Sequence, residues 1–378
     1  MIDTICLLIP KDEIITLASD SDGKPSWDLH SHTEQYDKFV KNPSKRALER
    51  GLYLPRLTGY HRKGFSSDKN VRIEFSIPKL LYLNNLDEVE DKDFAEVIDV
   101  LHERLVSMGI VITKAKLENA SVSSVHFSKN ILVEEGYTVN HIISELNKVN
   151  LPKSFDFART RYINDGQSLY AHTTTHQLVI YDKVADLGKD KKRAIDKDQT
   201  SYQKSLFEEI EKKELLEILR FEVRLNRKQK MNSVLEQLGY EKNPTFRSIF
   251  RTDISKKVVS GYWNKLIKER SLGLFSISMS IKDVLRTLLV ANKGIKPKQA
   301  IYYAGLFMVG KDENGLRELR SITSKKSCEK TWYRIVKDMK IASEFITKNR
   351  LRDWVIQIDK KLEEYKPYKH KVLSTSDG

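Results

Sequence analysis

The stretch LRFEVRL, Leu219–Leu225, alternates apolar and charged side chains along its whole length. Its charged positions are Arg220, Glu222 and Arg224, and every other position is apolar. A period of two residues is that of a β-strand with one face in the core, because successive side chains point to opposite faces of a sheet. The stretch therefore predicts a strand with a buried apolar face and a second face that carries charge.

Two further stretches repeat this alternation, VRIEFSI at 71–77 and HQLVIYDK at 176–183. The first places Arg72 and Glu74 on its polar face, and the second places Tyr181 and Lys183 on one face at its end. Taken singly these features are ordinary, since cross-strand ion pairs on a sheet stabilise little and tyrosine is common in strands. If the three strands are neighbours, however, one sheet face gathers carboxylates, basic groups and a phenol.

Helical patterns accompany the strands. Apolar residues recur at helical spacing over Asp91–Met108, and Thr138–Val149 is predicted as a second helix that ends before Pro152. Beyond about residue 227 the pattern is helical throughout. The sequence therefore predicts an α+β fold, an antiparallel sheet flanked by helices over residues 1–226, followed by a mainly α-helical region over 227–378.

Basic side chains follow one stripe of SKKSCEKTWYRIVKDMK, residues 324–340, which is predicted to be one helix. They are Lys326, Lys330, Arg334 and Lys337. With the helix-like segments before it, this helix would suit a helix-turn-helix unit near 296–340 that binds DNA. The solvated face of an ordinary helical bundle is the alternative interpretation.

Charge is distributed unevenly along the chain. The net charge is +14, from 66 basic and 52 acidic residues. Residues 1–150 hold 19 basic and 23 acidic residues, a net of −4, so the remainder holds 47 basic and 29 acidic residues, a net of +18. This asymmetry predicts that the second part faces a polyanion, most simply nucleic acid.

Several classes of protein are disfavoured by composition. The first residues, MIDTICLLIP, lack the basic flank of a signal peptide, and no apolar run is long enough for a membrane span. Cys6 and Cys328 lie far apart without metal-ligand spacing, which disfavours a disulfide framework or a zinc site. We therefore expect a cytoplasmic protein that does not enter a membrane.

The polar sheet face suits phosphodiester chemistry. A tyrosine oxygen can attack a DNA phosphate if its proton is removed and the charge that develops on phosphorus is neutralised. We assign the attack to Tyr181 and electrostatic support to Lys183, with Mg²⁺ or Mn²⁺ held by Glu74 and Glu222. The arginines of the strands, Arg72, Arg220 and Arg224, are predicted to bind DNA phosphate. No nucleotide triphosphate is needed, which agrees with the absence of GxxxxGK[ST] and GxGxxG motifs.

In order and spacing, several segments resemble the rolling-circle replication initiators of the filamentous-phage gene II type and, more loosely, plasmid Rep proteins. They run from residue 1 to about 225, namely MIDTICLLIP, VRIEFSIPKLL, SSVHFS, LVIYDK, SYQK and LRFEVRL. The resemblance implies a Rep nickase-like catalytic domain that cuts one strand of a double-stranded origin, becomes joined to the 5′ phosphate and later rejoins the displaced strand. It also implies origin DNA, single- and double-stranded, and the host helicase and polymerase as partners.

The resemblance adds a third metal ligand. Where the family has Arg-Ile-Asp, this chain has Ser124-Val125-His126. Because neutral imidazole can replace a carboxylate as a ligand, His126 becomes a candidate beside Glu74 and Glu222. A structural, hydrogen-bonded histidine is the alternative.

A basic loop directly after the proposed nucleophile is a further candidate for phosphate contacts, comprising Lys189, Lys191, Lys192 and Arg193. Other tyrosines lie nearby, and Tyr202 shares the spacing to a lysine, Lys204. Two rival functions remain open at this point. One is a non-enzymatic DNA-binding replication regulator, and the other is a conjugative relaxase with the same chemistry.

Overall fold

A computed structural model describes most of the chain, at residues 1–21, 23, 38–41, 52–60, 70–134, 136–149, 155, 161–163, 168–187, 216–270, 275, 279–291, 294–312, 315–326, 329–347 and 352–370. The chain divides into two compact units. The first contains 1–132, 172–259 and 365–378, and the second contains 133–171 and 260–364.

The described strands are β1 (Ile2–Pro10), β2 (Ile15–Thr16), β3 (Lys38–Lys41), β4 (Arg56–Tyr60), β5 (Asn70–Ser76), β6 (Ile110–Val111), β7 (Ser121–Leu132), β8 (Arg161–Ile163), β9 (Ser168–His172), β10 (His176–Asp182) and β11 (Ile218–Leu225). In the first unit one sheet runs in the order β3-β4-β5-β1-β7-β11-β10. All of its neighbouring strands are antiparallel. The predicted antiparallel sheet in an α+β fold is confirmed.

The described helices are α1 (Ile77–Tyr82), α2 (Phe94–Ser107), α3 (Lys114–Glu118), α4 (Val139–Asn147), α5 (Lys183–Leu187), α6 (Lys228–Gln237), α7 (Phe246–Ile249), α8 (Thr252–Tyr262), α9 (Ile281–Ala291), α10 (Pro297–Lys311), α11 (Gly315–Lys326), α12 (Glu329–Thr347) and α13 (Asp353–Glu364). No described helix combines the length and the apolar character that a bilayer crossing requires.

The apolar face of the first unit's sheet is covered by helices. Phe246 of α7 lies between Phe75 of β5 and Phe94 of α2, with ring centroids 5.9 Å and 5.2 Å away. The buried side chains of α2 recur at the predicted helical spacing. α6 ends before Gly239, whose φ of 81° lies in the left-handed region that favours glycine at the end of a helix.

The second unit is mainly helical. α9, α10 and α12 share a core that includes Val284, Leu288, Phe307 and Ala342. Before these helices in the chain, β8 pairs antiparallel with β9. α4 is tied to the start of α13 through an ion pair of 2.9 Å between Glu145 and Arg352.

The chain does not divide between the two units at residue 226, the predicted boundary. α6 and α7 remain with the first unit, because the chain before α7 continues the pairing at the start of β7. Val122 donates its amide to the Pro244 carbonyl at 3.1 Å, and Phe246 donates to the Ala120 carbonyl at 3.0 Å. The apolar sheet face needs this cover, so helices that follow the last strand are part of the sheet's own core.

The helix predicted over 324–340 is two helices. α11 ends at Lys326 and α12 begins at Glu329. Leu316 at the start of α11 and Met339 in α12 belong to one buried cluster. The two helices pack against each other to bury these residues, which a single straight helix could not do.

A buried carboxylate of the first unit pairs with a buried lysine of β7. Glu88 is 2% exposed and accepts hydrogen bonds from the Lys129 ammonium at 2.5 Å and the Asn130 amide at 2.6 Å. It also accepts from the Tyr368 amide at 2.8 Å. Lys129 is itself 2% exposed, so each charge depends on the other for compensation.

We therefore expect Glu88→Ala to lower the free energy of unfolding by about 3–5 kcal/mol, because it leaves the Lys129 charge buried without its partner. Urea unfolding at pH 7 measures the change. Glu96→Ala, on the exposed side of α2, is the control and should change stability by less than about 0.5 kcal/mol. Equal effects of the two substitutions would contradict this account of the pair.

Candidate functional site

Three neighbouring strands place polar side chains on one face of the sheet. Tyr181 of β10 is opposite Arg220 of β11, and Arg224 of β11 is opposite His126 of β7. Glu222 lies between the two arginines on the same face of β11, because side chains alternate along a strand. The neighbourhood that the sequence suggested for Tyr181 and Glu222 is therefore present, and it includes His126.

Glu222 is at the centre of this group and is 2% exposed. Its Oε1 lies 3.3 Å from Nδ1 of His126 and accepts a 2.9 Å hydrogen bond from Nε of Arg224. A second guanidinium nitrogen of Arg224 donates to Oε2 at 3.0 Å. Burial alone would raise the pKa of Glu222, but Arg224 and His126 more than offset it and hold that pKa well below its usual range. The carboxylate is therefore ionised.

Asp3 joins the group through an irregularity in β1. The register between β1 and β7 shifts between Ile2 and Thr4, so Asp3 is an extra residue without a partner in that ladder. Such bulges redirect a side chain, and they are common beside functional sites. Ligand atoms of Asp3, His126 and Glu222 all lie within 4.8 Å of one another.

Arg220 holds Asp3 in place. Its guanidinium donates to Oδ1 of Asp3 at 2.6 Å, to Oγ of Ser128 at 3.0 Å and to the Asn85 carbonyl at 3.0 Å. Arg220 is 2% exposed. Burial would lower the pKa of Arg220, but Tyr181 and Asp3 raise it above its usual value, so the side chain stays charged. The contact of Arg220 with DNA phosphate stays a prediction, and in the structure its donors are engaged by Asp3, Ser128 and Asn85.

The hydroxyl of Tyr181 donates to Oε2 of Glu222 at 3.4 Å. Burial raises the pKa of this phenol well above its usual value, Arg220 opposes the rise, and Glu222 adds to it. Lys183 is fully buried, with its ammonium 5.8 Å from the centre of the Tyr181 ring and 4.0 Å from Oδ2 of Asp186. The alternation suggested that Lys183 ends the strand. In the structure the strand stops at Asp182, and Lys183 begins α5.

Glu74 is not part of this group. It lies on β5, opposite Cys6 of β1 and Arg56 of β4. β1 and β7 separate β5 from β11, three strand spacings or roughly 14 Å. Arg72, on the same strand, donates from Nε to Sγ of Cys6 at 3.1 Å. The position of Glu74 in a strand was predicted correctly, but its neighbours were not. Asp3, and not Glu74, lies beside His126 and Glu222.

Other predicted contacts lie elsewhere or outside the described residues. Lys326 is on α11, whereas Lys330, Arg334 and Lys337 share an exposed face of α12 in the second unit. The basic loop lies outside the part of the chain that the structure describes, as does the second tyrosine candidate; these residues are Lys189, Lys191, Lys192, Arg193 and Tyr202.

Asp3 was missed because its signal is weak. One acid in an otherwise apolar first strand is the only sequence cue, and a bulge is needed to turn it toward β7. The amide of Asn226 was also missed, although its Oδ1 lies 3.2 Å from Nε2 of His126. Asn226 lies one residue after β11, and its contact helps to orient the imidazole of His126.

Two carboxylates and an imidazole form a donor set that can hold a hard divalent ion. Mg²⁺ and Mn²⁺ prefer carboxylate oxygens, and a neutral imidazole is an acceptable third ligand for Mn²⁺. The ligand atoms of Asp3, His126 and Glu222 already lie close together, although Arg220 and Arg224 share the two carboxylates. Because a carboxylate has about four lone-pair sites, the residues fit a metal ion beside these arginines.

Comparison with family models found none that matches this chain. Neither a curated protein nor a solved structure matches it.

The low pKa of Glu222 gives the site a pH signature. Glu222 stabilises the folded state fully above its unfolded-state pKa of about 4.3, and that contribution is lost as pH falls through the lower folded pKa. We expect Glu222→Gln to cost roughly 3 kcal/mol of stability at pH 7 and about 1–2 kcal/mol less at pH 3. Urea unfolding at both pH values tests this. Glu103→Gln, whose side chain is 72% exposed, is the control, and a Glu222 cost independent of pH would contradict the assignment.

A direct measurement of metal binding distinguishes Asp3 from Glu74 as the second carboxylate ligand beside Glu222. We expect Asp3→Asn to weaken Mn²⁺ binding at least about tenfold, or about 1.4 kcal/mol, and Glu74→Gln to leave it unchanged. Electron paramagnetic resonance of free Mn²⁺ during titration reports the affinity without any activity assay. If Glu74→Gln weakens binding and Asp3→Asn does not, the ligand set inferred from the structure is wrong.

Proposed function

We propose that this chain is a rolling-circle replication initiator, a site-specific DNA nickase and strand transferase that acts through a phosphotyrosine intermediate. One observation carries the proposal. The hydroxyl of Tyr181 contacts a buried carboxylate, Glu222, which also contacts His126 and lies beside Asp3. A phenol beside a candidate metal centre combines a nucleophile with the charge stabilisation that transesterification by tyrosine can use.

In the proposed reaction, the Tyr181 oxygen attacks the phosphorus of one phosphodiester and forms an O–P bond. The bond from phosphorus to the 3′ oxygen breaks, and the proton that this oxygen takes up to become a free 3′ hydroxyl balances the proton that the phenol loses. The strand stays joined to the protein through its 5′ phosphate. Attack by a 3′ hydroxyl on the phosphotyrosine reverses these bond changes and rejoins the strand, so no nucleotide triphosphate is consumed.

The surrounding side chains address the main obstacle, which is the proton on the phenol. Burial keeps Tyr181 neutral at rest, whereas the charge of Arg220 favours the phenolate. Glu222 orients the hydroxyl by accepting its hydrogen bond. Held by Asp3, His126 and Glu222, Mg²⁺ or Mn²⁺ would supply positive charge for the phosphate oxygen and the departing 3′ oxygen. Lys183 contributes a buried positive charge beside the ring.

Further parts of the proposal rest on the family resemblance and the charge distribution. The first unit would be a Rep nickase-like catalytic domain, and the substrate would be double-stranded origin DNA that becomes single-stranded where it is cut. The excess of 47 basic over 29 acidic residues after residue 150 supports a DNA partner. A host helicase would unwind the duplex and a host polymerase would extend the freed 3′ end in the cytoplasm.

The reaction is tested by adduct formation. Incubated with labelled single-stranded origin DNA and Mn²⁺, the protein should form a detergent-resistant adduct, and Tyr181→Phe should abolish it because the phenyl ring has no nucleophilic oxygen. Denaturing gel electrophoresis measures the labelled adduct. Tyr170→Phe, in β9, is a matched control on another strand and should retain the adduct.

An adduct that persists in Tyr181→Phe would refute the assigned nucleophile, and Tyr202→Phe would then be tested. No adduct on any origin, with Mn²⁺ bound, would favour a non-enzymatic DNA-binding regulator. A conjugative relaxase would give the same adduct, and only the DNA sequence that it recognises distinguishes that function.

A further inference from the structure

One face of α12 carries four cations and an exposed tyrosine, which together we name the α12 stripe. Its members are Lys330, Tyr333, Arg334, Lys337 and Lys340. Steps of three, four and seven residues place side chains on one side of a helix. From Lys330 to Lys340 the stripe covers about 15 Å along the helix axis.

All five side chains of the stripe are exposed, and Tyr333 is 63% exposed. Within the part of the chain that the structure describes, none of the four cations forms an ion pair or a side-chain hydrogen bond. Like charges at helical spacing repel one another by a few tenths of a kcal/mol for each pair. The stripe therefore carries an uncompensated positive charge.

The one acid within the stripe's length is directed elsewhere. Asp338 accepts a hydrogen bond at 3.2 Å from the hydroxyl of Tyr302 on α10. It therefore supports the contact between α10 and α12 instead of neutralising Lys337 or Arg334 beside it in the helix.

The opposite face of α12 fixes the orientation of the stripe. Trp332, Met339, Ala342 and Ile346 are buried against the neighbouring helices. The Trp332 ring also lies 5.6 Å from the guanidinium carbon of Arg320 on α11. Because these contacts prevent rotation of α12, the cations and Tyr333 are presented outward together on a fixed surface.

We infer that the α12 stripe binds single-stranded DNA, and this rests on the proposed function, in which one strand of the origin is freed. The cations would contact backbone phosphates, and the Tyr333 ring would stack on an unpaired base. Duplex DNA offers the same phosphates, but its bases are already stacked within the helix and give the ring no partner. The exposed ring in the middle of the cations therefore favours the single strand over the duplex.

Binding can be measured apart from the reaction by using full-length Tyr181→Phe protein without added metal. Fluorescence anisotropy with a labelled oligothymidine and with a duplex of the same length gives both affinities. We expect Tyr333→Ala to weaken single-strand binding about tenfold and duplex binding less than about twofold. Tyr333→Phe keeps the ring and should keep the affinity. Thermal unfolding of each variant checks that the helix is intact.

The cations have their own signature. Each lost phosphate contact should reduce the slope of log affinity against log salt by about 0.7 for a single strand. We expect this change for Lys337→Ala and not for Lys282→Ala, another exposed lysine, on α9 of the same unit. A Tyr333→Ala variant that binds oligothymidine as tightly as the parent, or that loses duplex binding equally, would overturn the inference. Neither result depends on whether Tyr181 forms an adduct.

Discussion

The charge on Glu222 is the constraint around which the sheet's polar face is built. An ionised carboxylate that is 2% exposed is strongly unfavourable unless charged or hydrogen-bonding partners surround it. Arg224 supplies two hydrogen bonds from the same strand, and His126 supplies a contact from the next strand. This requirement fixes the register of β7 against β11, since a slip of one residue would send these side chains to the apolar face.

The same requirement limits what the site can bind. The second carboxylate, Asp3, is also engaged by a guanidinium, that of Arg220. The two carboxylates and two arginines nearly cancel, so a divalent cation enters a region with little net negative charge, and its affinity depends on lone pairs that the arginines leave open. Under the proposed function, a DNA phosphate would bring further negative charge, which favours the cation. Metal and phosphate should therefore bind cooperatively, with the arginines keeping the site stable while neither is present.

The sequence was sufficient for much of the fold and for part of the site. Period-two alternation located β5, β10 and β11, and helical periodicity located α2, because both patterns report burial directly. Tyr181 and Glu222 could be named because they lie on the polar faces of such strands, whereas His126 was named through the family resemblance. Strand order does not follow from alternation, and for this reason Glu74 was assigned to a neighbour three strands away. Asp3 depends on a bulge, which has no reliable sequence signal.

Burial also separates two kinds of positive charge that composition counts together. Arg220 and Lys183 are buried, so their charge acts on the groups of the site with little screening, because the low dielectric of the interior makes it strong. Lys330, Arg334 and Lys337 are exposed, and their charge acts on a polyanion through solvent, where salt screens it. Under the proposed function, in which the chain binds a long strand and also reacts at one phosphate, both kinds are needed. High salt should then separate binding from chemistry, because it weakens the exposed contacts and leaves the buried ones almost unchanged.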